Sequence, residues 1–282
     1  LPFKNRLGNV VFDHPCRSAP LSEICQTSLP LTPWTAEKTR RLPGLNPVAA
    51  GDWLIVDEVY AAQMAYRETL LETRRDQVYR QAKGAGPAAA ELLEKVLAEV
   101  SVKPGYKVNA DSARCPDGRL VSIDRHAPLI TAARLVQEDL VILQKSADEH
   151  GLTAAVLCFP ASWSLDEKFG RTLTGIHVPV ASYDDDIGPR VQRLFDFIKP
   201  EMPMWRANYL VYSDPDLFQP RRENARRVVS PEGRHWVRVE RQCLLRLPVS
   251  QAVVFSIHTY VVPLENLSAA DRTSLLKARP IV

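Results

Sequence analysis

The sequence predicts an α+β fold built on an antiparallel sheet, and three observations carry that prediction. Two segments of helical period come early, between Asp52 and Val100. Short strands and helices then mix. The last third holds two long strand-like segments, Trp236 to Leu247 and Ala252 to Val262, joined by Pro248-Val-Ser-Gln251, which reads as a hairpin. Early helices, mixed elements and a terminal hairpin describe helices laid on one antiparallel sheet.

Taken in order, residues 1–50 are broken by Pro2, Pro15, Pro20, Pro30, Pro33, Pro43 and Pro47, so they form an irregular arm that wraps the domain. From Asp52, a plausible N-cap, a long helix runs to about Lys83, with Tyr60, Met64, Leu71 and Val78 at helical spacing. Gly84-Ala-Gly86 stops it. Pro87 suits a first helical turn, and Leu93, Val96, Leu97 and Val100 mark a second helix expected to pair antiparallel with the first. A short strand over Arg119 to Ile123 follows the Pro116-Asp-Gly turn, and Pro128 opens a helix expected to reach about Lys145. The apolar run Ala154 to Phe159, closed by Pro160, suits a buried strand. Asp186 or Gly188 starts a helix ended by Pro200, and Trp205 to Tyr209 begins another strand. The domain organisation expected is the arm, 1–50, and one domain, 51–282, that includes the helical pair over 52–100.

Composition excludes several classes. With 282 residues, 45% of them apolar, the chain can bury a sizeable core. No run approaches the ~18 apolar residues of a membrane span. Net charge is only +3 with both signs interspersed, which does not point to nucleic acid; the basic run Arg221 to Arg227 reads as a solvated face or a phosphate or partner contact. The five cysteines contain no CxxC pair, so reduced thiols in a cytoplasmic protein are expected, and Leu1-Pro-Phe-Lys lacks the pattern of a secretory signal. GxGxxG, GxxxxGK[ST] and GxSxG are all missing, which argues against dinucleotide, P-loop and serine-hydrolase chemistry.

Chemistry-bearing residues concentrate between Cys158 and Val180. No two of the six histidines form an HxH or HxxxH pair, so a metal site built from several histidines is not encoded locally. A haem is different, because the porphyrin supplies four nitrogens and the protein needs only one axial imidazole. His177, between Ile176 and Val178-Pro179, is either such a ligand or a hydrogen-bonded residue near a strand end. His258 poses the same choice. Asp166 and Glu167 after Trp163 are either helix caps or a counter-charge for a cationic amine beside an apolar pocket. Asp184 to Asp186 read as a helix cap or, less simply, a metal site. Arg206 could bind a carboxylate or haem propionate through its planar fork, or close the preceding helix. Arg238, Glu240, Arg241 and Arg246 read as cross-strand charge pairing.

The ordered set resembles the bacterial haem-dependent oxidative N-demethylases. The matching segments are Leu45-Asn-Pro-Val, Asp52-Trp53-Leu54 with Asp57 and Tyr60, Val136-Gln-Glu-Asp-Leu140, Phe159-Pro-Ala-Ser-Trp163, Glu167-Lys168-Phe-Gly170, Ile176-His-Val-Pro-Val180, Arg206-Ala-Asn-Tyr209, and Val239-Glu-Arg-Gln242 through to Tyr260. The resemblance implies a PAS-like haem-binding fold, haem b, O2 as oxidant and a small secondary or tertiary methylamine, such as dimethylamine, as substrate, with formaldehyde released. It implies electrons from NADPH through flavin and [2Fe–2S] centres on partner reductase subunits. It gives His177 the axial-ligand role and Glu167 a substrate-ammonium role, and sets Trp163 in the pocket lining; Arg206 is a propionate candidate on chemistry alone. The family usually shows Asn-Trp where this chain has Asn208-Tyr209. The alternative function is a haem-based sensor or binding module without turnover, since fold does not fix activity.

Overall fold

A computed structural model of the chain describes residues 23–35, 39, 44–177, 187–223, 225 and 229–281, with 177 and 187–190 described by backbone alone. In chain order the elements are β1 (Asn46–Pro47), α1 (Tyr60–Thr73), α2 (Arg75–Val78), β2 (Tyr79–Gln81), α3 (Gly86–Ser101), β3 (Lys107–Val108), β4 (Ser112–Arg114), β5 (Leu120–Ser122), α4 (Pro128–Leu135), β6 (Asp139–Ser146), β7 (Glu149–Val156), α5 (Leu165–Lys168), α6 (Leu173–His177), α7 (Ile187–Phe197), β8 (Met204–Tyr212), β9 (Trp236–Arg246), β10 (Val253–Pro263) and α8 (Ala269–Ala278). Seven strands make one sheet in the order β1-β8-β9-β10-β6-β7-β2, and β3-β4-β5 make a small second one. Every pairing is antiparallel. The α+β class with a large antiparallel sheet and flanking helices is therefore what the chain adopts.

Three expectations need correction. The first helix begins at Tyr60 because residues 52–59 are held as a loop: Ile55 N–H donates to Glu138 (2.8 Å), Asp57 N–H to Gln137 (3.1 Å), and Asp57 Oδ1 takes Val59 N–H (3.2 Å). It stops at Thr73, since Tyr79–Gln81 peels off to extend the sheet beside β7. The two early helices do not form the expected pair; α3 packs chiefly on α4. The helix from Pro128 ends at Leu135, and Leu140 and Leu143 belong to β6, a strand paired on both sides where β-branched Val141 and Ile142 fit the pleat. Helix α8, absent from the sequence reading, is capped by Ser268, whose Oγ accepts Asp271 N–H (3.0 Å).

Burial explains the layering. One sheet face, with Leu140, Ile142, Ala154, Val156, Cys243, Leu245 and Val254, is covered by α1, α3 and α4. Helix α3 alone buries Leu92, Leu93, Val96, Leu97 and Val100. At about 1.5–3 kcal/mol per large apolar side chain, that face outweighs any local preference. Farther along the same side, Trp34 of the arm and Leu275 of α8 close over Val237, Val239, Tyr260 and Val262. The arm is stitched to β10 through Gln26, whose N–H donates to Val261 O (3.0 Å) and whose Oε1 accepts Val261 N–H (2.8 Å). On the opposite face, Val141, Leu143, Ala155, Leu244, Val253 and Ile257 are roofed by side chains of α5, α6 and α7 together with Trp163, Phe169 and Ile198.

Candidate functional site

Among the described residues the roof covers the opposite sheet face only in part, and where the apolar side chains stop, polar ones begin. Strand register puts them in rows. Thr259 lies opposite Glu240, which lies opposite Asn208; Ile257, Gln242 and Arg206 form the next row, and Val261, Arg238 and Leu210 the row beyond. Residues directly opposite one another share a face. A shallow surface crevice lies here, lined by Ala161, Asn208, Leu210, Tyr212, Arg238 and Glu240 among others.

These polar groups are buried but incompletely bonded. Glu240 is 5% exposed and Thr259 1%. Gln242 Nε2 donates to Glu240 Oε2 (2.9 Å), while Glu240 Oε1 has no hydrogen bond and stands 3.7 Å from the Arg238 guanidinium. Thr259 Oγ1, Arg206 Nε and Arg238 Nε are likewise buried without a hydrogen-bond partner. Burial drives the Glu240 carboxyl above the ordinary carboxylate range, opposed by Arg238 and Gln242. Burial also lowers the Arg206 guanidinium pKa, with Glu240 acting against it. Leaving a buried polar group unpaired costs roughly 1–3 kcal/mol. Four such atoms on adjoining rows make this the part of the sheet where a ligand has most to satisfy.

The edge of the crevice is built from the segment that follows β7. Asp139 Oδ1 and Oδ2 accept the N–H groups of Cys158 (2.9 Å) and Phe159 (2.8 Å), and Asp139 is itself paired with Arg67 (2.9 Å), both side chains fully buried. Arg238 donates to the carbonyls of Leu217 (3.0 Å) and Phe159. The chain then turns over β8: Ser162, at φ 67°, bonds through its hydroxyl to Tyr212 (2.9 Å) and through its N–H to Gln219 O (3.2 Å). A left-handed non-glycine residue is held only where its surroundings over-determine it.

The sequence-selected residues fall into different places. Trp163 packs against the apolar cluster of the same face, as Phe255 and Ile176 do. Arg206 is one row from Glu240. Glu167 accepts Ser164 Oγ (3.0 Å) and Glu223 N–H (3.1 Å) through Oε2, so it ties the start of α5 to residue 223. It is not among the residues lining the crevice. His177 is the last residue of α6, and its side chain lies outside the described residues, as do Asp184 to Asp186. Tyr209 turns its ring to Trp34 on the other face (centroids 5.3 Å apart), so this departure from the family pattern does not bring a new ring into the row of Arg206 and Glu240.

A family model for haem-dependent oxidative N-demethylases, alpha subunit-like, matches residues 44–279. The chain belongs to this family. In this N-demethylase-like subunit the match takes in the whole sheet and every helix placed above, and the family's name implies haem dependence. The residues present fit such a group in their chemistry: a buried, partnerless arginine nitrogen suits an anionic propionate, and the adjoining face supplies Ile257, Phe255 and Trp163 as apolar contacts. The crevice is too tight to admit a ligand of any size as it stands, so a porphyrin would need space beyond it.

Several residues of the site were not singled out by the sequence. Glu240 and Arg238 read in the sequence as cross-strand charge pairing, with an alternation that puts some of the hairpin's charges on one face, and not as parts of a site. Arg67 fills a gap in the apolar stripe of α1, between Met64 and Leu71, which is where a buried cation can be found by period alone. Glu223, within the basic run, draws Lys168 (2.7 Å) and Arg171 (2.8 Å). His258, which posed the choice between a ligand and a hydrogen-bonded strand residue, sits between Asp57 (3.2 Å) and Glu138 (3.1 Å) on the helix-covered face.

Proposed function

We propose that this chain is the haem-carrying component of an oxidative N-demethylase acting on a small secondary or tertiary methylamine, dimethylamine being the type. The observation that carries the reading is the set of buried polar atoms without a hydrogen bond, Glu240 Oε1, Thr259 Oγ1 and Arg206 Nε, on two neighbouring rows beside the apolar part of the sheet face in a chain of this family. When bound, haem b would supply O2-dependent oxidation of an N-methyl group with electrons delivered from outside. The methyl group would leave as formaldehyde.

In this reading His177, at the end of α6, would hold the haem iron, and Arg206 would take a propionate through its planar fork. Trp163, Phe255 and Ile257 exclude water from the reacting centre. Of the two carboxylates, Glu240 suits the amine better than Glu167: Glu240 keeps one oxygen without a hydrogen bond, whereas Glu167 is engaged by Ser164 and Glu223. An ammonium enters a low-dielectric site only with a counter-charge and acceptors, and Glu240 with Thr259 offers both. A PAS-like arrangement of sheet and roof is consistent with the strand order. Electrons would come from NADPH through flavin and [2Fe–2S] centres on reductase subunits, in the cytoplasm. The domain division proposed is the arm, 1–50, and one haem-binding domain, 51–282.

The test is an absorption spectrum of the full chain reconstituted with hemin, before and after dithionite and then with dimethylamine, followed by formaldehyde assay with a reductase. A bound Soret band lost in His177→Ala, together with steady formaldehyde release, is expected. A chain that stays colourless would overturn the reading; a coloured chain that binds O2 without formaldehyde would replace it with a sensor.

A further inference from the structure

Helix α7 is held against the sheet by three side chains of different chemistry. Arg246 of β9 donates to the carbonyls of Ile198 (2.7 Å) and Phe195, so a guanidinium caps the last turn. Asp196 pairs with Lys145 of β6 (2.7 Å). One turn earlier, Gln192 meets His150 of β7, which is fully buried and whose ring lies against Phe195 with centroids 5.4 Å apart.

Only one form of the histidine can make the Gln192 contact. Gln192 Oε1 accepts the His150 backbone N–H (3.2 Å), and a backbone N–H can only donate, so the orientation of the amide is fixed. Gln192 Nε2 then donates to His150 Nδ1 (2.9 Å), which makes Nδ1 an acceptor and puts the ring proton on Nε2. That Nε2 is buried without a hydrogen-bond partner. A second proton would set a donor against a donor at Nδ1. Turning the amide over would present Oε1 to the charged ring, at the cost of the backbone N–H. Burial holds the His150 pKa below its ordinary value, helped by Arg246 of β9 and Lys145 of β6 and opposed by Asp196 of α7.

We propose that His150 and Gln192 form an acid-sensitive latch: neutral His150 holds α7 over the apolar sheet face, and protonation at Nδ1 releases the Gln192 end while Arg246 keeps the other end attached. Val191 and Leu194 pack against the apolar cluster that contains Leu143, Leu152 and Val253, so release loosens the cover of that face. With the closed-state pKa below the ordinary value near 6.5, the hold is complete above about pH 6.5 and is lost as pH falls below it. No cofactor takes part, so the latch stands apart from the functional reading above.

The experiment is amide hydrogen exchange over residues 191–198 in the full chain at about pH 7.5 and about pH 5, corrected for the intrinsic pH dependence of exchange, in the wild type, His150→Asn and Gln192→Glu. Each pKa unit by which closure depresses the histidine is worth tenfold in opening, so wild-type exchange in α7 should speed by about 10-fold on acidification relative to α3. His150→Asn, whose Oδ1 can accept Gln192 Nε2 without titrating, should remove the acid response. Gln192→Glu sets a carboxylate against Nδ1 and should reverse it, with α7 better protected at the lower pH. If His150→Asn fails to fold, the half-buried change Gln192→Glu decides. No acid response in the wild type, or one of equal size and direction in all the proteins that fold, would overturn the latch.

Discussion

Asp139 and Arg67 form a fully buried ion pair at 2.9 Å, and Asp139 spends both carboxylate oxygens on the N–H groups of Cys158 and Phe159. The pair therefore joins α1, the start of β6 and the segment that edges the crevice. Arg67 also lies over the Phe159 ring, 4.7 Å from its centroid. Asp139→Ala leaves a buried guanidinium without its counter-charge, held only by the Gln137 carbonyl, and two backbone donors without acceptors, and should cost about 3–5 kcal/mol, read from urea unfolding. The double variant Arg67→Met/Asp139→Leu removes the stranded charge but not the stranded donors, so a loss of about 1–3 kcal/mol should remain. Full recovery in the double variant would show that the carboxylate is not needed to hold Cys158 and Phe159.

His258 should make stability depend on pH on the alkaline side. Burial by itself lowers its pKa, but the hydrogen bonds and charges of Asp57 and Glu138 outweigh that and raise it to about 9. Because the folded value lies above the unfolded value near 6.5, the contribution is complete below about pH 6.5 and is lost as pH rises through about 9. Its ceiling is about 3 kcal/mol. Urea midpoints at pH 6, 7.5 and 9.5 should fall in the wild type, and His258→Asn should flatten the fall while lowering stability at pH 6. An equally steep decline in the variant would place the effect elsewhere.

Arg206 should trade stability against haem retention. Its buried Nε lacks a partner, so Arg206→Leu should leave the melting temperature of the haem-free chain unchanged or raise it, a buried polar atom without a partner costing roughly 1–3 kcal/mol. Hemin titration of the same variant should show weaker binding by about 10-fold, as expected when a charge-assisted pair is lost. Weaker folding with unaltered hemin affinity would make Arg206 a structural residue.

Glu240 should separate amine binding from haem binding. Glu240→Gln keeps the shape and removes a carboxyl whose ionisation burial already opposes, so the fold should be as stable or slightly more so. Dimethylamine-induced changes in the visible spectrum should need about 10-fold more amine, because a hydrogen bond to a charged group contributes roughly 1.5–3 kcal/mol, whereas the hemin affinity should stay put. Equal amine affinity would return attention to Glu167.

Long elements with unbroken patterning were legible before any tertiary information. The β9–β10 hairpin, α3 and α7 declare themselves through alternation or helical spacing. Failures came where local pattern was ambiguous. Leu140 to Leu143 suits a helix or a central strand equally well, and only pairing with β10 on one side and β7 on the other decides it. Tyr79 to Gln81 continues a helical stripe in sequence but completes the sheet edge in space.

The site divides along the same line. The order of short segments from Leu45 to Tyr260 identified the family, because chain order and residue type survive without geometry. Trp163 and Arg206 were already in view as members of that order. What only the tertiary structure decided is which buried polar atoms lack a hydrogen bond. Glu240, Thr259 and Arg206 come from three strands and meet in neighbouring rows of one face, while Glu167 is turned to Ser164 and Glu223. A charge in a sequence gives no sign of whether a neighbour some 30 or 150 residues away satisfies it; desolvation and hydrogen bonding are properties of the packed chain, and they separate a binding group from a fastener.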